Sequence, residues 1–366
     1  MSSPRLFDLR LPDLPLEHGG VVRSHHARGW WWGPESDLPV LSARTQPLHR
    51  DASTAPCTVF RRESVIEPRP GGAALSSNVP TVLLVHALTG DARAGGERGW
   101  WAPLIGLGKS LDPTRMRLLC FNNLGSNYGS SGPLDEGWPA DASLTTLDQA
   151  RALWLALDAL GVETLHLAAG GSLGGMILLA MAALRPHGIE RLLPLAATAF
   201  STAWLIGFNH VQRQAIALDP KRGLEVARQL AMLTYRAEPG LEVTQARTLP
   251  PKPGARGAYR VEGYLEHLGE SLSARFETTP YLTLLDAMDS HDLAPRLSTL
   301  RQRKALIVDI DTDVLYTPTQ VSALATLLSE AGNTVERATL KSLHGHDAFL
   351  IEWEQLAPLV TRALSL

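Results

Sequence analysis

Apolar residues in this chain fall into short unbroken runs, separated by stretches with helical spacing. Residues 80–85, 116–121, 164–169, 191–197, 304–310 and 335–341 form such runs, rich in Val, Ile and Leu. Unbroken rather than alternating apolar runs predict strands covered on both faces, as in a parallel sheet. Between them, 148–160 carries apolar residues at helical spacing and stops at Gly161, a residue suited to ending a helix. Residues 173–184, 318–331 and about 348–363 also predict helices. Strands alternating with helices predict an α/β architecture, a mostly parallel sheet flanked by helices.

The alternation stops between about 200 and 295. Residues 215–235 predict a helix broken at Asp219-Pro220, 238–257 a loop, and 259–276 and 282–288 further helix. About a hundred residues of helix between two strands of one sheet read as an inserted cap, not an independent domain. The expected division is a core of 1–198 and 296–366 with a helical cap of 199–295. The first eighty residues carry the weakest pattern and predict one or two antiparallel strands. Within them Gly29-Trp-Trp-Trp-Gly33 reads as a packing anchor, and Arg69-Pro-Gly-Gly-Ala-Ala74 as a loop.

Composition narrows the class. The 366 residues include 34 basic and 37 acidic side chains, a net charge of −3, which argues against nucleic acid as a partner. Two cysteines, Cys57 and Cys120, exclude a disulfide framework, and Cys120 sits in an apolar run that predicts a buried, inert thiol. Charged residues through the first twenty positions leave no apolar leader, and the most apolar run, 176–184, is too short to span a bilayer. The expectation is a cytoplasmic, globular protein.

The chemistry concentrates at Gly170-Gly-Ser-Leu-Gly174, a G-x-S-x-G pattern between a predicted strand and a predicted helix. A turn that sharp tolerates no side chain at its flanks and lifts the Ser172 hydroxyl above the sheet edge. The helix beginning at Leu173 aims free N–H groups at the same point. A serine needs a base and an acid that orients it. In this strand–turn–helix context they follow in the order acid, then histidine. Asp311 or Asp313 follows the 304–310 strand, and His344 or His346 follows the 335–341 strand; spacing leaves both pairs open. Leu173 N–H is one expected oxyanion donor. Leu88 N–H, in His86-Ala-Leu-Thr-Gly90, is the expected second, and Thr89 reads equally well as a plain turn hydroxyl.

Longer strings go beyond that pattern. They are His86-Ala-Leu-Thr-Gly-Asp91, Gly99-Trp-Trp-Ala-Pro-Leu-Ile-Gly-Leu-Gly-Lys109, Asn123-Leu-Gly-Ser-Asn-Tyr-Gly-Ser-Ser-Gly-Pro133, Gly170-Gly-Ser-Leu-Gly-Gly-Met176, Val211-Gln-Arg-Gln-Ala-Ile216, Arg275-Phe276, Asp313-Val-Leu-Tyr-Thr-Pro318 and Gly345-His-Asp-Ala-Phe-Leu350. With them, residues 80–360 resemble the homoserine O-acetyltransferase family, acyltransferases of the α/β-hydrolase fold. The resemblance selects Asp313 and His346 beside Ser172. It implies that Arg213 and Asp347 bind the amino-acid acceptor, and that acetyl-CoA is a co-substrate with no metal or bound cofactor. It also implies a homodimer through the cap. The chain departs from the family in its Pro- and Ser-rich stretch at 42–80 and in Leu173, where methionine is common. Alternatives on the same residues are an ester hydrolase, a serine or specialised-metabolite acceptor, and succinyl-CoA as donor.

Overall fold

The structure is a computed structural model and describes residues 4–33, 65–66, 79–247 and 259–366. The expected loop at 69–74, Cys57 and most of the stretch at 42–80 lie outside these residues. The first strands are β1 (Arg5–Arg10), β2 (Leu14–Pro15), β3 (Val21–Val22), β4 (His26–Trp32) and β5 (Val65–Ile66). They are followed by β6 (Thr81–Val85), β7 (Arg117–Phe121), helix α1 (Thr146–Ala159), β8 (Leu167–Gly171), α2 (Leu173–Leu184) and β9 (Arg191–Leu195). Five helices come next: α3 (Ala203–Leu218), α4 (Pro220–Tyr235), α5 (Glu238–Thr244), α6 (Arg260–Ser273) and α7 (Thr278–Asp289). The chain returns through α8 (Ala294–Leu297) to β10 (Lys304–Ile310), α9 (Pro318–Glu330), β11 (Thr334–Leu340), a 3-10 turn (Gly345–Leu350) and α10 (Trp353–Ser365).

Among the described residues one nine-stranded sheet runs in the order β11-β10-β9-β8-β6-β7-β4-β1-β5. From β11 to β7 every pairing is parallel. Strand β4 then joins β7 antiparallel, β1 joins β4 antiparallel, and β5 lies parallel to β1. The unbroken apolar runs acquire their reason here. Leu83 and Val85 enter one buried cluster while Val82 and Leu84 enter the other, and Leu119 and Phe121 alternate likewise with Leu118 and Cys120. Both faces of these strands are core, so period-two alternation of polarity has no role.

The N-terminal strands are richer than expected. β1 and β4 pair through six residues, locked by a bidentate Asp8–Arg28 ion pair at 2.8 Å in both arms. The tryptophan run packs as an anchor: Trp31 and Trp32 are buried in opposite clusters, and Trp30 stacks on Trp32. Their alternation along β4 places Trp31 on one side of the sheet and Trp30 and Trp32 on the other.

Between β9 and β10 the chain leaves the sheet, and among the described residues it forms helices α3 to α8 before it returns. The break at Asp219-Pro220 is present: Asp219 is extended and Pro220 opens α4, where a missing N–H costs nothing. Helix α3 starts twelve residues before the expected 215, because Thr202 caps it through Leu205 N–H. The expected loop at 238–257 contains α5 before it leaves the described residues. The exit and return strands are sewn together: Ser201 N–H donates to His291 O and Leu293 N–H to Ala199 O, both at 2.8 Å. The His291 ring, buried and with its pKa lowered to about 4 by desolvation, bridges Thr146 Oγ1 at 2.9 Å and Thr198 O at 3.0 Å. At neutral pH it is therefore an uncharged bolt joining α1 to the exit.

Thr145 caps α1 reciprocally with Asp148, and its hydroxyl lies 3.0 Å from Glu17 Oε2. Thr145→Ala should cost about 1–2 kcal/mol, read as a lowered urea midpoint at unchanged m-value.

Candidate active site

Strand β8 delivers Ser172 into the turn before α2 with φ 56° and ψ −128°, a region that side-chain-bearing residues rarely occupy. The strain is held by close backbone approach. A Cβ on Gly174 would sit 2.2 Å from Val85 O, and one on Gly171 would enter the Phe349 ring at 2.5 Å. Bare positions on both sides of the serine thus let α2 press against the end of β6 while the 3-10 turn closes from the other side.

His346 opens that 3-10 turn, and Asp313 follows β10. His346 Nδ1 donates to Asp313 Oδ2 at 2.7 Å, with both side chains buried. The other carboxylate oxygen, Oδ1, accepts Leu315 N–H at 2.8 Å and Tyr316 N–H at 2.9 Å, which fixes its plane. The proton on Nδ1 leaves Nε2 as a lone-pair acceptor. Nε2 is buried and, among the described residues, takes no hydrogen bond from a protein group. The ring is walled by Tyr316 at 5.1 Å, Phe349 at 5.6 Å and Tyr235 at 5.7 Å. Burial alone would lower the His346 pKa; the Asp313 charge and hydrogen bond, with a lesser contribution from Asp347, reverse this and raise it.

The neighbouring alternatives serve elsewhere. Asp311 accepts Ser342 N–H at 3.0 Å and faces Lys341, so it ties β10 to the end of β11. The half-buried His344 precedes the 3-10 turn and caps nothing with its side chain.

For Leu88 and Leu173 N–H, the expected oxyanion donors, no protein acceptor is found among the described residues. The Leu88 loop is rigid. His86 is buried and neutral, its pKa lowered by desolvation. Its Nε2 accepts Asn123 N–H at 3.0 Å, so Nδ1 carries the proton and donates to Ala87 O at 2.8 Å. Gly90 N–H donates to the same carbonyl at 3.0 Å and closes the turn. The Thr89 carbonyl is itself an acceptor, for Arg275.

The two residues that the resemblance marks for the acceptor are placed differently. Asp347 is beside His346, 3.4 Å from Arg236 Nη2; its pKa is raised by burial against the opposing charges of Arg236, His346 and Arg228. Arg213 instead faces α7, with Nη1 2.6 Å from Asp289 Oδ2 and Nη2 2.8 Å from Asp286 Oδ1. Both arms of its fork are paired with carboxylates of α7. A second arginine near Asp347, besides Arg236, is Arg228 on α4, half-buried and 5.5 Å over the ring of Tyr235. Its charge acts on Asp347, Tyr235, Tyr281 and Tyr128, and among the described residues no carboxylate pairs with it. Sequence reasoning missed it, although Arg228 and Tyr235 are seven residues apart and so share one helix face.

Comparison with known proteins agrees with this architecture. Residues 80–248 match the family model of the α/β hydrolase fold. The homoserine O-acetyltransferase of Moorella thermoacetica is 36% identical over 315 residues, covering 76% of this chain and 84% of that protein. The crystal structure of homoserine O-acetyltransferase from Staphylococcus aureus superposes with a TM-score of 0.76 at 27% identity, covering all of this chain and 96% of that one. Esterase E22 shares the fold with a TM-score of 0.77 at 18% identity, each chain covered in full.

A base must be neutral to accept a proton, so the acid limb of kcat/KM on p-nitrophenyl acetate should have its midpoint above the ordinary imidazole value of about 6.5. Asp347→Asn removes a charge that raises the His346 pKa, and should move that limb to lower pH. An unmoved limb would show that Asp347 does not act on His346.

Proposed function

This chain belongs to the homoserine O-acetyltransferase family of the α/β-hydrolase fold, and we propose that it transfers acetyl from acetyl-CoA to the side-chain hydroxyl of L-homoserine, a reaction of the methionine-biosynthesis type. Ser172 Oγ attacks the thioester carbonyl while His346 Nε2 takes its proton. Leu88 and Leu173 N–H hold the oxygen of the tetrahedral intermediate, where charge develops. Asp313 stabilises the imidazolium and keeps its tautomer. The C–S bond then breaks, His346 returns the proton to the departing sulfur, and acetyl remains on Ser172. In the second half the acceptor hydroxyl gives its proton to His346 and attacks the acyl-serine, and Ser172 leaves with the proton. Ping-pong kinetics follow.

The observation that carries an amino-acid acceptor is the charged pair beside the base. A carboxylate suits the guanidinium of Arg228, which stacks on Tyr235, and an ammonium suits Asp347, which the acceptor would share with Arg236. Water, the acceptor of a hydrolase, calls for neither. CoA enters as a co-substrate, which fits a cytoplasmic enzyme. We read the helical insertion as a cap that limits water at the acyl-serine. Helix α3 exposes Trp204, Val211 and Leu218, at 54%, 52% and 89%, while its charged residue, Arg213, pairs with α7 on another side. We read that apolar face as the contact of a homodimer.

With acetyl-CoA as donor, free thiol should be released in proportion to added homoserine and at only a background rate without it. Ser172→Ala should reduce the release by about a thousandfold or more. Thiol release indifferent to homoserine would make the chain a hydrolase. Val211→Glu should convert a dimer to a monomer by light scattering; a monomeric parent protein would refute the dimer.

A further inference from the structure

We propose that Arg275, a residue of the helical insertion, is a positioning residue for the oxyanion hole, acting on Leu88 N–H through two peptide groups in series. The inference rests on the assignment of Leu88 as an oxyanion donor. Arg275 lies between α6 and α7. Its Nη1 reaches across to the core and donates to Thr89 O at 2.9 Å and to the Tyr128 hydroxyl. The core answers in kind: Asn127 Nδ2 donates to Arg275 O at 2.9 Å, and the buried Phe276 meets the Tyr128 ring edge-on at 5.6 Å.

The Thr89 carbonyl and Gly90 N–H belong to one planar peptide and point in opposite directions. The Gly90 N–H donates to Ala87 O. Ala87 C=O and Leu88 N–H form the next such unit, and Leu88 N–H is the donor left open. The chain therefore reads Arg275 guanidinium, Thr89–Gly90 peptide, Ala87–Leu88 peptide, reacting oxygen. Every hydrogen bond in it runs the same way. Such a series polarises cooperatively, and here its far end is a fixed positive charge. His86 Nδ1 supplies the second bond to Ala87 O, so the core pins one end of the turn. Arg275 is the group that pins the Thr89 carbonyl at the other. The oxyanion hole is then complete only when the insertion is seated, which couples the cap to the chemistry as well as to access.

The test uses the full chain and p-nitrophenyl acetate, which reads acylation whatever the natural acceptor. A boronic acid that forms a tetrahedral adduct on the serine serves as transition-state mimic. Arg275→Met keeps the stem and removes the donors and charge. It should lower kcat/KM about ten- to a hundredfold, mainly in kcat, and weaken the boronic acid by the same factor. Arg275→Lys, which keeps one charged donor, should recover most of both and remains informative if the methionine variant does not fold. Asn127→Ala loosens the same seam without touching Thr89 and should leave mimic affinity near that of the parent. Unchanged mimic affinity in Arg275→Met, or an equal loss in Asn127→Ala, overturns the proposal. Ser172→Ala measured on the same ester separates the two failures: if it retains activity, the site assignment fails, not the role of Arg275.

Discussion

The close approach of two backbones at the end of β6 is the constraint on which the site depends. Gly174 lies so near Val85 that no Cβ fits between them. That approach sets where α2 begins, and with it the unusual dihedral angles of Ser172 and the direction of the open N–H groups behind it. It also brings the Leu88 loop, which leaves the same strand, against the start of α2. The Ser172 turn and the Leu88 and Leu173 N–H groups are therefore products of one packing event. The strain at Ser172 is tolerable because two sheet faces are buried around it, and a packed interior gives little room to relax.

The base is supported by a different kind of order. His346 sits among three aromatic rings, where an imidazolium would be poorly solvated without Asp313. The carboxylate is itself held by two backbone donors, so it offers charge in a fixed plane and spends no reorganisation when the proton arrives. Above this, helices α3 to α7 are fastened at both ends, by the sewn strands near His291 and by the Arg275–Asn127 exchange near the oxyanion loop.

The sheet was legible because strands buried on both faces write unbroken apolar runs, and the serine turn because its geometry demands glycine at fixed offsets. The order of serine, acid and histidine points to the ends of β10 and β11, but spacing leaves Asp311 beside Asp313 and His344 beside His346. The choice between them turns on side-chain direction at a strand end, which a one-residue pattern does not encode. The start of α3 was missed because its first turns, Trp204 to Gly207, are apolar on the exposed side and blur the helical period. The resemblance implies an acceptor-binding role for Arg213, and its ion pairs with α7 are not legible in the sequence. Its partners, Asp286 and Asp289, are more than seventy residues away in sequence, and nothing near position 213 announces them. Arg228 was legible in principle through its seven-residue offset from Tyr235. Its direction into the site, however, comes from packing of α4 against α6 and the 3-10 turn. The pairing of β1 with β4 rests on Asp8 and Arg28, twenty positions apart, a separation that a local pattern does not reveal.

The central claim is that the acyl group passes through a covalent bond to Ser172. Mixing the enzyme with acetyl-CoA in the absence of acceptor, quenching in acid and mapping the peptides by mass spectrometry tests it directly. An acetyl adduct is expected on the peptide containing Ser172, formed at the rate of CoA release and discharged when homoserine is added before the quench. An active enzyme that carries no acetyl on Ser172 under these conditions, or whose adduct persists while product forms, would contradict it.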